Sequence, residues 1–140
     1  MGKINVARVI LGGLLAGLII NISEYVLNTY VIADESSALL QRLGLPEIGT
    51  HQIGVFVTMT FVLGIVLIFL YAGLRPRFGA GARTAVIAAL TIWIVSFMGA
   101  LADEVIGLTP AKLLGVAGIW GLVETIVAAI AGAWVYKESA

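Results

Sequence analysis

The most regular feature of the sequence is a set of four long apolar segments separated by short polar connectors. They cover about residues 7–31, 51–73, 83–102 and 111–136. Each is long enough to cross a bilayer, which takes about 20 mostly apolar residues in a helix. Membrane β-strands instead alternate apolar and polar residues over about ten positions, so these continuous runs predict helices. We expect an all-α integral membrane protein, a four-helix transmembrane bundle that forms one domain over residues 1–140.

The overall composition agrees with a membrane environment. Of the 140 residues, 61% are hydrophobic and only 11% are charged, whereas a soluble domain carries about 25% charged residues. Lys plus Arg and Asp plus Glu both number 8, so the chain lacks the basic balance of a nucleic-acid-binding protein. It also has no cysteine, which excludes disulfides, thiolate metal sites and cysteine nucleophiles. We expect the lipid bilayer as a partner, and neither nucleic acid nor a cofactor.

The distribution of basic residues predicts the orientation in the membrane. Four spans in up-down-up-down order place both termini and the middle connector on one side. That side holds six cations: Lys3, Arg8, Arg75, Arg77, Arg83 and Lys137. The other side holds Arg42 and Lys112. Because cytoplasmic loops carry the excess of Lys and Arg, both termini are predicted to be cytoplasmic, in a multi-pass protein of the bacterial inner membrane or an equivalent cell membrane.

The longest connector, residues 34–49, lies on the predicted outer side. Within it, residues 36–43 contain both polar and apolar positions and could make two amphipathic helical turns. Such a segment would lie on the membrane surface with its apolar face toward the lipid. The outer connector is therefore the predicted place for a short interfacial helix.

Two acidic residues, Glu24 and Glu124, lie inside the apolar segments instead of in connectors. An ionised carboxylate near the bilayer centre costs about 2.5–3.5 kcal/mol on insertion scales, so such residues usually face the bundle interior and often mark an ion pathway or site. At about 1.5 Å rise per residue, Glu124 lies near the middle of its segment and Glu24 lies nearer the outer surface. Both are candidate functional residues.

Each acid belongs to a row of small or polar residues on one helix face. The two rows are Gly13, Gly17, Asn21, Glu24 and Asn28, and Ala117, Gly121, Glu124, Ala128 and Gly132. Spacings of three and four residues place each row on one side of a helix, and small residues let transmembrane helices approach closely. We expect the two rows to pack against each other or against a second copy of the chain, with the carboxylates in one polar pocket.

Two further polar residues are predicted near the outer end of that pocket. His51 starts the second segment and Asp103 ends the third. Trp120 lies deeper than an interfacial aromatic belt and is expected to be a packing residue. No Glu-x-x-His spacing supports a metal site. The predicted set for binding a substrate or proton is Glu24, Glu124, Asn21, Asn28, His51 and Asp103, and no catalytic or metal-ligating residue is predicted.

Two functions remain open at this stage. The first is a proton- or cation-linked small transporter that uses the intramembrane carboxylates, since an ionisable residue at membrane depth is a functional-site hypothesis by default. The second is a non-catalytic accessory or structural subunit of a membrane complex, in which the carboxylates form interhelical hydrogen bonds. In either case we expect a homo-oligomer or a partner in a membrane complex. A membrane enzyme is the least favoured interpretation.

Overall fold

The computed structural model describes residues 3–138, and these residues form five α-helices and no β-strand. Four helices are long: α1 (Val6–Val26), α3 (Thr50–Phe78), α4 (Ala82–Val105) and α5 (Ala111–Val135). A π-helical turn, Leu27–Val31, extends α1, and the short helix α2 (Ala33–Arg42) follows it. Lengths of 21 to 29 residues correspond to about 32–44 Å, against about 30 Å of hydrocarbon. The prediction of four helices that are long and apolar enough to span a membrane is therefore confirmed.

Neighbouring long helices run antiparallel. The backbone N–H of Asn5, before α1, donates to the Tyr136 hydroxyl, after α5, at 3.3 Å. α1 packs against α3 and α5, and α4 lies between α3 and α5. Both ends of the described chain and the α3–α4 connector (residues 79–81) thus lie at one end of the bundle, called the terminal end below. α2 and the α4–α5 connector (residues 106–110) lie at the other, called the far end.

The α1–α3 contact is the closest in the bundle because glycines face each other across it. A Cβ atom on Gly64 would collide with the carbonyl oxygen of Gly13 and would lie 2.6 Å from the backbone nitrogen of Gly17. On Gly17, a Cβ would lie 2.8 Å from the Cα of Phe61. Since the backbones touch directly, no side chain larger than hydrogen fits at Gly64 without separating the two helices.

The main hydrophobic core occupies the half of the bundle nearest the terminal end. Its members come from all four long helices, and many of them are alanines. Fully buried examples are Ala16, Leu67, Ile68, Ala85, Ala88, Ala89, Ala128 and Ala129. Small side chains on facing helices allow short interaxial distances and dense packing without voids.

An arginine held between two aromatic rings closes the terminal end. The rings of Tyr71 and Tyr136 meet edge to face, with centroids 5.9 Å apart. The Arg75 guanidinium carbon lies 5.9 Å and 5.2 Å from these two centroids, within the range of cation–π attraction. Its Nη1 atom is 3.6 Å from Glu138 Oε1. This cluster fixes the end of α3 to the segment after α5.

The helix α3 continues past the predicted end of the second span, at residue 73, and runs to Phe78. Pro76 therefore lies inside its last turn. A proline there removes one backbone hydrogen bond, but the turn is still closed because the Gly79 N–H donates to the Arg75 carbonyl at 2.8 Å. Gly79 then leaves the helix with φ of 84°, a conformation that glycine adopts readily.

The short helix α2 lies across the far end and is held there by polar contacts at both of its ends. Lys112 Nζ, on α5, donates to Glu35 Oε1 at 2.7 Å, and this hydrogen bond lowers the pKa of Glu35. The Arg42 guanidinium donates to the carbonyl oxygens of Gly107 at 3.1 Å and Leu108 at 2.6 Å. α2 thereby links the end of α1 to the α4–α5 connector.

Packing is looser in the half of the bundle nearest the far end. A second, smaller apolar cluster consists of Leu27, Ile32 and Leu113. On the opposite side, every residue of α3 from Thr50 to Met59 is exposed. This part of α3 therefore packs closely on neither α4 nor α5, and the bundle is open on that side.

Candidate functional site

Glu24 on α1 and Glu124 on α5 lie next to each other, close enough for their carboxyl groups to interact directly. Side chains on a helix lean toward its N-terminus. Because α1 and α5 are antiparallel, the two glutamates lean toward each other from opposite directions. Glu124 is only 9% exposed, and Glu24 is half-buried. The site lies where the dense half of the bundle meets the open half.

The Glu124 carboxyl has an unusual surrounding for a buried acid. Its polar neighbours are Glu24, the Ser23 hydroxyl and the Trp120 indole. Trp120 Nε1 donates to Ser23 Oγ at 2.8 Å. The buried Oε2 atom of Glu124, however, has no hydrogen-bond partner among residues 3–138. A buried carboxyl oxygen without a partner is costly, so this atom calls for a functional explanation.

Asn28 holds Glu24 from the following turn. Its Nδ2 atom donates to Glu24 Oε2 and to the Glu24 carbonyl oxygen, both at 2.9 Å. Asn28 belongs to the π-helical turn Leu27–Val31, where the backbone widens and Ile32 N–H donates to the Leu27 carbonyl at 3.0 Å. Such turns often occur at functional sites. Here the amide side chain supports the carboxylate and the adjacent backbone at the same time.

The small-residue rows do not pack as the sequence pattern predicts. The rows were expected to face each other or a second copy of the chain, but Gly13 and Gly17 face α3. Asn21 follows them and donates from Nδ2 to the Val57 carbonyl on α3 at 3.4 Å. The residue of α1 that meets Gly132 on α5 is Gly12. One residue corresponds to about 100° of helix rotation. The adjacent Gly12 and Gly13 therefore face different helices, α5 and α3.

Two members of the predicted set lie away from the carboxylate pair. His51 is exposed at the start of α3 and lines a shallow surface depression with Gly54 and Thr58. Asp103 is exposed near the end of α4, where its carbonyl accepts the Leu108 N–H at 2.8 Å. Within residues 3–138, no three His, Asp or Glu side chains are grouped so as to hold a metal ion.

Ser23 and Trp120 belong to the site, although the sequence pattern favours neither as a site residue. Ser23 precedes Glu24 and faces α5, whereas Gly13, Gly17 and Asn21, in the row that contains Glu24, face α3. Trp120, expected only to pack, precedes Glu124 by four residues, and this spacing places both on one helix face. That spacing is the signal by which the sequence could have identified Trp120, whereas the partner of its indole N–H depends on the position of α1.

The site can bind and release a proton, because it combines two adjacent carboxyls with hydrogen-bond donors in a mostly apolar surrounding. A scan against protein-family models and searches of curated proteins and of solved structures each return no match. The geometry of the site is therefore the basis for a functional proposal.

Proposed function

We propose that this protein is a small proton- or cation-linked transporter in which Glu24 and Glu124 take up and release the ion. The observation that carries the proposal is the buried Oε2 atom of Glu124, which has no partner in the described chain and lies beside a second carboxyl. Ionisable residues at membrane depth usually mark ion pathways or proton relays. In this proposal the ion reaches the pair from the open side of the bundle, next to the exposed residues Thr50–Met59 of α3.

The proposal includes insertion in the cell membrane with the terminal end in the cytoplasm. Four helices have the necessary length and apolarity. The six cations Lys3, Arg8, Arg75, Arg77, Arg83 and Lys137 belong to the terminal end, and Arg42 and Lys112 belong to the far end. This imbalance agrees with cytoplasmic termini. α2 would then lie on the outer face of the cell membrane.

Cysteine labelling tests this orientation directly, since the sequence contains no cysteine. Single cysteines are introduced by Ala80→Cys in the α3–α4 connector and by Ile48→Cys before α3, both at exposed positions. In intact cells, a membrane-impermeant maleimide is expected to label Ile48→Cys alone, and to label Ala80→Cys only after permeabilisation. The reverse pattern would contradict the orientation, and extraction of the protein by alkaline carbonate would contradict insertion.

The transport proposal is tested with the purified full chain in liposomes that contain a pH-sensitive dye. We expect proton movement in response to a membrane potential, or in exchange for external sodium, potassium or tetraphenylphosphonium. Glu124→Gln and Glu24→Gln should each reduce it to the level of protein-free liposomes, because an amide cannot carry a proton at neutral pH. Glu47→Gln, in the connector before α3, is the matched control and should behave as the wild type.

Equal responses of wild-type and protein-free liposomes under all these conditions would overturn the transport proposal. Retained proton movement in both Glu24→Gln and Glu124→Gln would overturn the role of the pair. Size-exclusion chromatography and circular dichroism establish that each variant is folded, so that lost activity is not mistaken for lost structure.

The accessory or structural subunit of a membrane complex is the second candidate, and one observation favours it. All residues from Thr50 to Met59 are exposed on α3, so this part of the helix has room for a helix of a partner or of a second copy. In that case the carboxylates would only fix helix packing, and replacing Glu124 would destabilise the fold. The effect of Glu124→Leu on the free energy of unfolding separates the two candidates.

A further inference from the structure

We propose that the Glu24–Glu124 pair binds a single proton and excludes metal cations, and that Ser23 and Trp120 are the positioning residues that make the proton exchangeable. The inference rests on the proposed function and names its ion. It is carried by the direction of every hydrogen bond around the two carboxyls, by the unpartnered oxygen of Glu124, and by the small number of oxygen ligands.

The amide and indole side chains around the pair present hydrogen-bond donors and not metal ligands. Asn28 donates from its nitrogen to two atoms of Glu24, a backbone carbonyl oxygen and a carboxylate oxygen. Both are acceptors, so the amide must present its N–H group to them. The amide oxygen of Asn28 consequently points away from the pair. Calcium takes six to eight oxygen ligands and magnesium six, and two carboxyl groups cannot supply such a set.

The hydroxyl of Ser23 lies between the Trp120 indole and the Glu124 carboxyl. Its oxygen accepts the indole N–H of Trp120 at 2.8 Å, and an indole can only donate. The hydroxyl hydrogen is therefore available to the neighbouring carboxyl of Glu124. A donor chain from Trp120 through Ser23 thus reaches the Glu124 carboxyl, and a donated hydrogen bond is stronger to a carboxylate than to a neutral carboxyl. Asn28 donates to the carboxyl of Glu24 in the same way.

The carboxyl pair itself favours one bound proton. Two ionised carboxylates in contact repel strongly in apolar surroundings, and Trp120, a neighbour of the pair, packs on the apolar cluster that contains Leu27. One proton on Glu124 Oε2 removes this repulsion and gives the unpartnered atom a hydrogen bond to Glu24. Binding the proton changes the charge of the pair from −2 to −1, and release restores it. Because each carboxylate also has its own hydrogen-bond donor, the bound proton can leave the pair again.

No other titratable side chain faces the Glu124 carboxyl in the described part of the chain: Glu24 is its one charged neighbour. The nearest titratable residues on the other elements lie toward the far end. They are Asp34 and Glu35 on α2, His51 on α3, and Asp103 and Glu104 on α4. The protonation of the pair should therefore depend on the two carboxyls and their hydrogen-bond donors, and not on other charged side chains.

Infrared spectroscopy of the detergent-solubilised full chain tests the inference without any transport assay. At about pH 7 exposed carboxyl groups are ionised, so the carbonyl stretch of a protonated acid reports on buried sites. We expect wild-type protein to keep the intensity of one protonated carboxyl, and Glu124→Gln to lose it. Addition of sodium, potassium, magnesium or calcium chloride should leave the band unchanged. Glu47→Gln, outside the long helices, should match the wild type.

Conservative variants test the two positioning residues. Trp120→Phe and Ser23→Ala each remove a donor that favours the ionised pair, so the protonated band should persist to a pH higher by about one unit, a tenfold change in proton affinity. The matched control is Trp93→Phe, because the Trp93 indole donates to the Gly118 carbonyl at 2.9 Å away from the pair. Its titration should equal that of the wild type. Unchanged titrations in both Trp120→Phe and Ser23→Ala would refute their role.

The outcomes separate this inference from the transport proposal. Absence of the band from wild-type protein at about pH 7 overturns the shared proton. Loss of the band on adding a metal salt overturns the exclusion of metals, yet leaves a cation-linked transporter intact. A band with the expected behaviour, together with liposomes that move no protons, supports the shared proton and overturns the transport proposal.

Discussion

Glu124→Leu is expected to be more stable than the wild type by about 1–2 kcal/mol and to have no proton-linked activity. The carboxyl is 9% exposed, so it has lost most of its hydration, and a single hydrogen bond to the neighbouring Glu24 offsets only part of that loss. Replacing buried charged groups by apolar ones is often stabilising, and functional residues are commonly retained at a cost in stability. The measurement is the free energy of unfolding in mixed micelles as the fraction of denaturing detergent rises.

Thr125→Val serves as the control for this prediction. Thr125 is also buried, but its hydroxyl donates to the Gly121 carbonyl at 2.6 Å, so its removal should not stabilise the protein. If Glu124→Leu instead lowers the free energy of unfolding by about 1 kcal/mol or more, as the loss of a useful interhelical hydrogen bond would, the carboxyl fixes helix packing. That result would favour the accessory-subunit function.

Gly64→Ala is expected to lower the free energy of unfolding by about 3 kcal/mol, the upper part of the range for overpacked cores. The added Cβ would collide with the Gly13 carbonyl and approach the Gly17 nitrogen to 2.6 Å. Both obstacles are backbone atoms, which cannot rotate away as a side chain does. α1 and α3 would have to separate along the closest contact of the bundle. The same unfolding measurement in mixed micelles gives the magnitude.

Gly73→Ala provides the matched substitution on the same helix. A Cβ at Gly73 meets nothing within 4 Å, and alanine has the higher helix propensity, so stability should stay equal or rise slightly. Equal effects of the two substitutions would mean that the α1–α3 contact is not as close as described. Gly64→Ala should also reduce function, because α1 carries Glu24 and its displacement would alter the spacing of the carboxyl pair.

These two expectations reflect a division of the bundle into a dense half and an open half. Glycine and alanine contacts fix the helices near the terminal end, while Thr50–Met59 of α3 remain exposed near the far end. Glu24 and Glu124 lie at the boundary between the halves. A rigid base can hold the two helices at a fixed separation, and the open half can admit an ion or adjust to its binding.

The sequence pattern predicts the helices well because membrane-spanning helices depend on local properties. Continuous apolar runs indicate where α1, α3, α4 and α5 lie. Each residue adds to the hydropathy of its segment regardless of which residues it contacts in the folded protein. The bounds are less well predicted. Pro76 suggests an end for α3 that the structure places later, at Phe78, because a proline near a helix end removes one hydrogen bond while the last turn remains closed by Gly79.

The sequence by itself determined the four apolar helices and the two acids within them, since hydropathy and charge are properties of single positions and short segments. The tertiary structure alone decided which faces meet. Gly12 and Ser23 turn to α5, while Gly13 and Asn21 turn to α3. Small residues on several faces give a helix more than one possible neighbour, and the rotation that is adopted depends on the packing of all four helices together.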